Sequence, residues 1–222
     1  MAAQDDAREN QLVDLFNLER PAARARHGVD AILELDGHTL EFELKSVTTK
    51  KPSMSTVRDL GRDHIEKWSG KHWIVAFYAD GALKHCHYLS PDDMAPWIDK
   101  IWQYIKADFD ISDAAPKMAS LETLHQVLGA KEIYSLDDAK KLHKKQYSNE
   151  RYFKLCDVPG GYSPERMLQI FQDRMGYLLR RGSTLNNPHV SASYFEAFPA
   201  ITKNHAIELR TRVKRWLELK NV

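Results

Sequence analysis

The sequence predicts an α/β fold of the α+β kind, with a mixed sheet core and a mostly helical C-terminal region. Three observations predict it. An Asp36-Gly37 dipeptide between two alternating segments is typical of a β-hairpin. A strand, a helical segment and the apolar run His72–Tyr78 then follow the order of a βαβ unit, whose last strand is buried on both faces. From Ser90 onward, apolar residues recur mainly at helical spacing.

The N-terminal half carries the helix and strand patterns that such a core needs. Its first segment places Leu12, Val13 and Phe16 at helical spacing, and Pro21 ends the run. Asp80-Gly81 supplies a second turn signal. The predicted elements are a helix over 6–19, strands over Val29–Leu35, Thr39–Val47, His72–Tyr78 and Leu83–Leu89, and a helix capped by Ser55 that ends at Gly70.

The C-terminal half is predicted to be helical. Serines precede several of its apolar-periodic segments, as expected of helix caps, and Ser90-Pro91 and Ser163-Pro164 add a proline at the first helical position. The predicted helices run from Ser90-Pro91 through Tyr104, and over Ser120–Leu128, Ser135–Lys145, Ser163–Arg180 and Ala206–Leu219. We expect residues 1–110 to form the sheet core and 111–222 to form a helical region.

The composition is that of an ordinary globular protein. Among 222 residues, 43% are hydrophobic and 28% charged, and no apolar run has the length that a membrane helix needs. The N-terminal segment lacks the features of a signal peptide, so a cytoplasmic location is expected. Cys86 and Cys156 lack the spacing of a disulfide framework, and both are expected to be free thiols.

Two carboxylates are expected to face each other across the first hairpin. With Asp36 and Gly37 as the turn, Leu33 lies opposite Leu40 and Asp30 lies opposite Glu43. The two-residue period of a strand puts Glu41, Glu43 and Lys45 on one face. Leu40, Phe42 and Leu44 then point to the other face, toward the core.

Paired carboxylates beside a lysine suit phosphodiester hydrolysis. Like charges that face each other destabilise a hairpin, so a compensating cation is expected. A divalent ion that prefers oxygen ligands, Mg²⁺ first, would supply that charge and could bind a substrate phosphate and water. Lys45 would orient the attacking water or stabilise the developing negative charge.

These residues resemble a known nuclease motif. Asp30, twelve intervening residues, and then Glu43-Leu44-Lys45-Ser46 are similar to the motif of the PD-(D/E)xK nuclease superfamily, which includes type II restriction endonucleases. Val29 stands where the motif name has proline. The resemblance covers about residues 5–90, where the predicted elements follow the αβββαβ order of the restriction-endonuclease-like fold.

The resemblance implies a mechanism and a set of partners. It implies that Asp30 and Glu43 bind the metal, that Lys45 assists the attacking water, and that Glu9 of the leading helix joins the catalytic site, with Glu19 as the alternative. The implied activity is Mg²⁺-dependent cleavage of double-stranded DNA at a specific sequence, leaving a 5′-phosphate, and Mn²⁺ is expected to substitute. A homodimer and a cognate DNA methyltransferase are the expected partners.

Several basic residues are candidates for DNA contact, although the net charge of +1 gives no support of its own. A first group lies after the hairpin and a second in a basic stretch further on. The candidates are Lys50, Lys51, Arg58, Arg62, Lys140, Lys144 and Lys145. Arg58 and Arg62 could instead pair with Asp59, Asp63 or Glu66.

Other patterns have two interpretations. His85-Cys86-His87 is expected to be edge-strand surface rather than a metal site, and Leu121–Lys145 is either helix packing or a helix-turn-helix. Asn186, Asn187 and His189 suit base edges or a turn. A second Glu-x-Lys triplet, Glu218–Lys220, is expected on a solvated helix face.

Two other functions remain open from the sequence. One is a junction-resolving or repair endonuclease of the same fold, and the long helical region favours a sequence-reading enzyme over it. The other is a nucleic-acid-binding protein without catalysis, which would gain nothing from paired carboxylates that face anionic DNA.

Overall fold

The structure, a computed structural model, describes residues 2–21, 28–184 and 187–220 of the chain. The chain forms two compact units, one of Met1–Trp102 with Asn186–Val222 and one of Gln103–Leu185. The helical region expected over 111–222 is therefore shared between the units, and its expected role in DNA recognition and dimerisation stays a prediction. In the described part of the chain, no helix is both long and apolar enough to cross a membrane.

The elements alternate between helix and strand in the first half and are mostly helical afterwards. The strands are β1 (Ala31–Leu35), β2 (His38–Thr48), β3 (Ser53–Ser55), β4 (His72–Ala79), β5 (Ala82–Leu89), β6 (His189–Ser191) and β7 (Ala200–Ile201). The helices are α1 (Ala2–Phe16), α2 (Arg62–Ser69), α3 (Pro91–Ala114), α4 (Leu121–Leu128), α5 (Leu136–His143), α6 (Asn149–Leu155), α7 (Pro164–Ser183), α8 (Ala192–Glu196) and α9 (His205–Lys220). From α1 to β4 this is the αβββαβ order, so the expected fold class is confirmed.

Both Asp-Gly turns form hairpins, as the sequence predicts. Asp36 and Gly37 have φ of 51° and 84°, and Asp80 and Gly81 have φ of 51° and 80°. Positive φ at both central residues is the signature of a type I′ turn, which Asp and Gly tolerate. The first turn sets the expected register, with Leu35 paired with His38, Leu33 with Leu40, and Ala31 with Phe42.

The sheet of the first unit is mixed, in the order β1-β2-β4-β5-β7. Strands β2 and β4 run parallel and are connected through α2, so the predicted βαβ unit is confirmed. Seven of the eight residues of β4 are buried, as its apolar composition predicts. On the outer side of β1, Glu19 forms a backbone bridge with Ile32.

Different helices pack against the two faces of this sheet. Leu40, Phe42 and Leu44 point into a core that also contains residues of α1 and α9. On the opposite face, Trp68 of α2 lies 5.5 Å from Trp73 of β4, measured between ring centroids. Because Glu43 is the register partner of Trp73, its side chain belongs to the face that α2 covers.

The helix predicted from Ser55 begins later than expected. Ser53–Ser55 instead pairs with His189–Ser191 as the two-stranded sheet of β3 and β6, and α2 starts at Arg62 after Gly61. Met54 and Val190 are buried in this pairing. The partner strand lies more than 130 residues away in the chain, so no local pattern around Ser55 could indicate it.

Cys86 and His87 do not form edge-strand surface, and His85 is half-buried. β5 lies between β4 and β7, and both Cys86 and His87 are buried. The two histidine rings share one face, 5.1 Å apart between centroids, while Cys86 enters the core on the other face. Burial on both faces, together with β7, therefore corrects the expectation of an exposed edge. Cys86 and Cys156 are both free, as expected.

The second unit is a cluster of helices, several of which begin at serine caps. Ser120, Ser135 and Ser163 each accept a hydrogen bond from the backbone N–H three residues later, at the start of α4, α5 and α7. These starts agree with the sequence prediction, but α6 was not predicted and α3 extends beyond Tyr104. The core of the unit contains Leu124, Tyr134, Ala139, Tyr152, Tyr162, Met167, Ile170 and Phe171.

Candidate active site

Glu43 is a buried carboxylate between two lysines. It lies on β2 and only 2% of it is exposed. The Lys45 Nζ is 2.8 Å from Oε1, and the Lys67 Nζ of α2 is 3.1 Å from Oε2. Strand geometry brings Lys45 to the same face because the two residues are two positions apart. Lys67 reaches the carboxylate from the helix that covers this face.

Asp30 lies where the hairpin ladder ends. Its backbone N–H donates to the carbonyl of Phe42 at 3.2 Å, and its Oδ2 accepts the N–H of Leu44 at 2.9 Å. These two bonds fix Asp30 against the β2 segment that carries Glu43. The structure therefore brings together the two acids and the lysine that the sequence singled out.

The charges of this cluster perturb one another. Burial raises the pKa of Asp30 and the neighbouring Glu43 raises it further, against smaller opposing effects of Lys45 and the Leu44 N–H. For Glu43, burial alone would raise the pKa, but Lys45 and Lys67 outweigh it and lower the pKa to about 2. Burial would lower the pKa of Lys45, but Glu43 and Asp30 raise it above its ordinary value.

Glu9 lies on the Lys45 side of the site. Its charge contributes to raising the pKa of Lys45, and both residues line a pocket with Leu12, Leu44 and Ser46. Its Oε1 also lies 3.4 Å from Arg20 Nη1. Glu19, the alternative, has an exposed side chain and contributes its backbone to the bridge with Ile32. Glu9 is therefore the better placed of the two.

The two carboxylates suit a hard divalent ion. Asp30 and Glu43 together would supply two protein side chains as ligands. Mg²⁺ tolerates this because it commonly binds one or two carboxylates and keeps several waters. Burial and then Glu43 raise the pKa of Asp30, which is the direction expected of two carboxylates that repel each other, and a cation between them would relieve that repulsion.

Sequence analysis missed Lys67 and a second lysine, Lys71. Lys71 is 3% exposed, and its Nζ lies 3.6 Å from Glu41 Oε2. Both lysines line a cleft of about 520 Å³, together with Thr39, Glu41 and Trp216. Lys67 and Lys71 are four residues apart around the end of α2, and this spacing was visible in the sequence. It indicates a shared site only when α2 is known to lie over β2.

The DNA-contact candidates divide between the two units. Lys50, Lys51 and Arg58 are exposed in the first unit, and Lys50 Nζ lies 3.4 Å from Asp80 Oδ1. Arg62 is the first residue of α2, and its guanidinium lies 5.9 Å from the centroid of the Trp102 ring.

The remaining candidates belong mostly to the second unit. Lys140 lies in α5, and Lys144 and Lys145 follow it with positive φ and exposed side chains. Asn186 lies outside the described residues. Asn187 accepts a hydrogen bond from Ser55 at 2.7 Å, and His189 belongs to β6 rather than to a loop. Roles for all of these residues in DNA contact stay predictions.

A mixed five-stranded sheet with two acids and a lysine at its hairpin is consistent with the restriction-endonuclease-like fold of the PD-(D/E)xK nucleases. Comparison with family models agrees, because the chain matches the model described as Restriction endonuclease PvuII over residues 3–142, more than half of its length. The chain belongs to this family of type II restriction endonucleases. It is therefore a hydrolase of the endodeoxyribonuclease type that acts on double-stranded DNA, in a family that generally uses a divalent metal. No curated protein matches the chain.

Proposed function

We propose that this protein is a Mg²⁺-dependent restriction endonuclease that cuts double-stranded DNA at a specific sequence and leaves a 5′-phosphate, with Mn²⁺ as a substitute ion. The observation that carries the proposal is the contact of Glu43 with Lys45, beside Asp30, in a chain of this family. Asp30 and Glu43 hold the ion, which supplies Lewis-acid polarisation of the phosphate and activation of water.

Lys45 acts as a hydrogen-bond donor in this mechanism. In the metal-free protein, burial would lower the pKa of Lys45, but Glu43 and Asp30 raise it, which favours the protonated ammonium group. An ammonium group in a largely buried site can orient that water and stabilise the charge that develops on the phosphate oxygens. Glu9, which lines the same pocket as Lys45, helps to position the ammonium group.

The proposed partners follow from the activity. Double-stranded DNA is contacted through the exposed lysines and arginines of both units, of which Lys51, Arg58 and Lys144 are examples. A homodimer is proposed because a two-fold pair most simply cuts a palindromic site. A cognate methyltransferase would protect the host DNA from such an activity.

Plasmid cleavage tests the proposal. Purified protein with Mg²⁺ should give discrete fragments, and Lys45→Ala should cut at least about a hundredfold more slowly while still binding the same DNA. Asp30→Asn and Glu43→Gln should also abolish cleavage. Lys220→Ala is the matched control, because Glu218–Lys220 repeats the Glu-x-Lys triplet in α9, where Lys220 pairs with Asp92 at 2.8 Å.

Two results would contradict the proposal. Cleavage that persists in Asp30→Asn or Glu43→Gln would show that these residues do not form the active site. Cutting of a four-way junction in preference to the plasmid would indicate a resolving enzyme of the same fold instead.

A further inference from the structure

The cluster around Glu43 has one more cation than the nuclease motif contains. The motif supplies Lys45, which engages Oε1, whereas Oε2 faces Lys67 of α2 at 3.1 Å. Oε2 is fully buried, and the charge of Lys67 affects Glu43 more than its hydrogen bond does. Lys67 therefore interacts with this oxygen chiefly through its charge.

An ion shared by Asp30 and Glu43 must bind an oxygen of Glu43, and each of these oxygens is contacted by a lysine. The two lysines differ in how readily they can move away from that oxygen. Lys45 lies on the same strand as Glu43 and the same face of the sheet, so its position is set by the strand. The two side chains are about equally exposed, 20% for Lys45 and 19% for Lys67, but Lys67 approaches from a separate helix and borders the cleft that Glu41 and Lys71 also line. A flexible four-carbon stem at that border can swing its ammonium into the cleft.

The charges of the cluster also indicate that Lys67 leaves Glu43 when an ion binds. Asp30 and Glu43 contribute two negative charges and Lys45 and Lys67 contribute two positive ones. The neighbouring Lys71–Glu41 and Arg20–Glu9 pairs add no net charge, so the metal-free cluster is balanced. A divalent ion added beside both lysines would leave two uncompensated positive charges in a buried place, which is costly. The departure of Lys67 from Glu43 reduces that excess.

We propose that Lys67 occupies the place of the divalent ion on Glu43 in the metal-free protein and must leave it when the ion binds. Lys67 is thus a positioning residue that lowers the affinity of the site for the ion and keeps the buried carboxylates neutralised until the ion arrives. This inference rests on the proposed function, because it takes Asp30 and Glu43 as the metal ligands.

Calorimetric titration with Ca²⁺, without DNA, tests the inference. Lys67→Met removes the ammonium and keeps most of the side-chain length, and we expect it to bind Ca²⁺ at least about tenfold more tightly than the parent protein. Lys67→Arg keeps a cation and should not gain this affinity. Lys50→Met is the matched control, since it removes an exposed lysine paired with Asp80 and should change the affinity by less than about twofold.

Thermal unfolding separates competition from a merely structural role. Without metal, Lys67→Met should melt at a lower temperature than the parent, because Glu43 loses one of its two cations. Saturating Ca²⁺ should remove most of that difference, since the ion replaces the lost charge. A structural role would leave the difference the same with and without Ca²⁺.

Several outcomes would overturn the inference. Unchanged or weaker Ca²⁺ binding by folded Lys67→Met would do so, as would failure of both Lys67→Met and Lys67→Gln to fold even with Ca²⁺ present. A different result would reject the proposed function alone. In that case the parent protein would not cut DNA, while Lys67→Met would still bind Ca²⁺ more tightly than the parent. Parent protein that cuts DNA and loses cleavage in Lys45→Ala, with no gain in Lys67→Met, would reject only the role of Lys67.

Discussion

Glu43 keeps its charge inside the protein because two ammonium groups face it. The position of Asp30, Glu43 and Lys45 could be predicted from the sequence, since a two-residue turn fixes the register and the strand period fixes the face. The approach of Lys67 could not, because it depends on the point at which α2 begins and on the side of the sheet that it covers. Charge pairs within one hairpin are local, whereas a charge pair between a helix and a strand is set by tertiary packing.

His72 provides a prediction at this scale, on the pH dependence of stability. It is buried, with Nδ1 2.8 Å from the hydroxyl of Tyr88 and its ring stacked on Phe42. Burial lowers its pKa from 6.5 to about 4. Between these values the unfolded chain binds more protons than the folded protein, so protonation favours unfolding.

The free energy of unfolding should therefore fall as the pH falls from about 6.5 to about 4, with about 3 kcal/mol of the loss due to His72. Below that range the contribution of His72 should be constant. Urea denaturation at pH 7 and at several lower values, in the parent protein and in His72→Gln, measures this contribution. An equally steep loss in His72→Gln would contradict it.

At the scale of elements, the sequence was sufficient to predict those turns and helix starts whose stabilising contacts lie within a few residues. The Asp-Gly turns and the serine caps each act within four residues, and both were predicted. β3 was missed because its three residues are held by β6, and α6 was missed within a basic stretch that carries little apolar periodicity. The Val158–Tyr162 segment turns back on itself through a bridge between Val158 and Gly161, and Tyr162 bridges to Tyr134.

Gly160 and Gly161 give a matched pair of substitutions in that segment. A Cβ at Gly161 would lie 2.1 Å from the carbonyl oxygen of Tyr134, whereas a Cβ at Gly160 would meet nothing within 4 Å. Gly160 has φ of +92°, so alanine there costs about 1 kcal/mol through the backbone alone. Alanine at Gly161 must also displace the backbone of Tyr134, which costs at least about 2 kcal/mol more.

The two variants are compared by chemical denaturation, with hydrogen exchange of the second unit as the readout of its stability. Gly161→Ala should lower the stability of that unit more than Gly160→Ala does. Equal losses in the two variants would show that the close approach to Tyr134 has no energetic consequence.

At the scale of the whole molecule, the sequence identified the last helix but not where it packs. α9 follows the helical unit in the chain, yet it belongs to the first unit and buries Leu209, Val213 and Leu217 in the core beside α1. Arg210 adds hydrogen bonds to the carbonyls of Phe16 and Asn17, which are the free acceptors at the end of α1. An amphipathic pattern predicts that one face is buried, but it does not identify the partner.

Leu209 and Ile207 test this assignment of α9. Leu209 is fully buried, while Ile207 is 68% exposed on the same helix. Leu209→Ala should lower the free energy of unfolding of the first unit by about 3 kcal/mol, through lost burial and a cavity. Ile207→Ala should change it by less than about 0.5 kcal/mol. Urea denaturation of both variants gives the comparison, and similar values for the two would show that α9 does not stabilise the sheet.

The edges of the five-stranded sheet limit how one copy of the protein can add to another. One edge is the two-residue β7, and the other, β1, already exchanges two hydrogen bonds with the backbone of Glu19. Long unpaired edge strands are the usual templates for cross-β growth, and on this sheet β7 interrupts one edge and Glu19 the other. Concentrated samples should therefore be less prone to amyloid-type assembly through this sheet than a protein with a long bare edge.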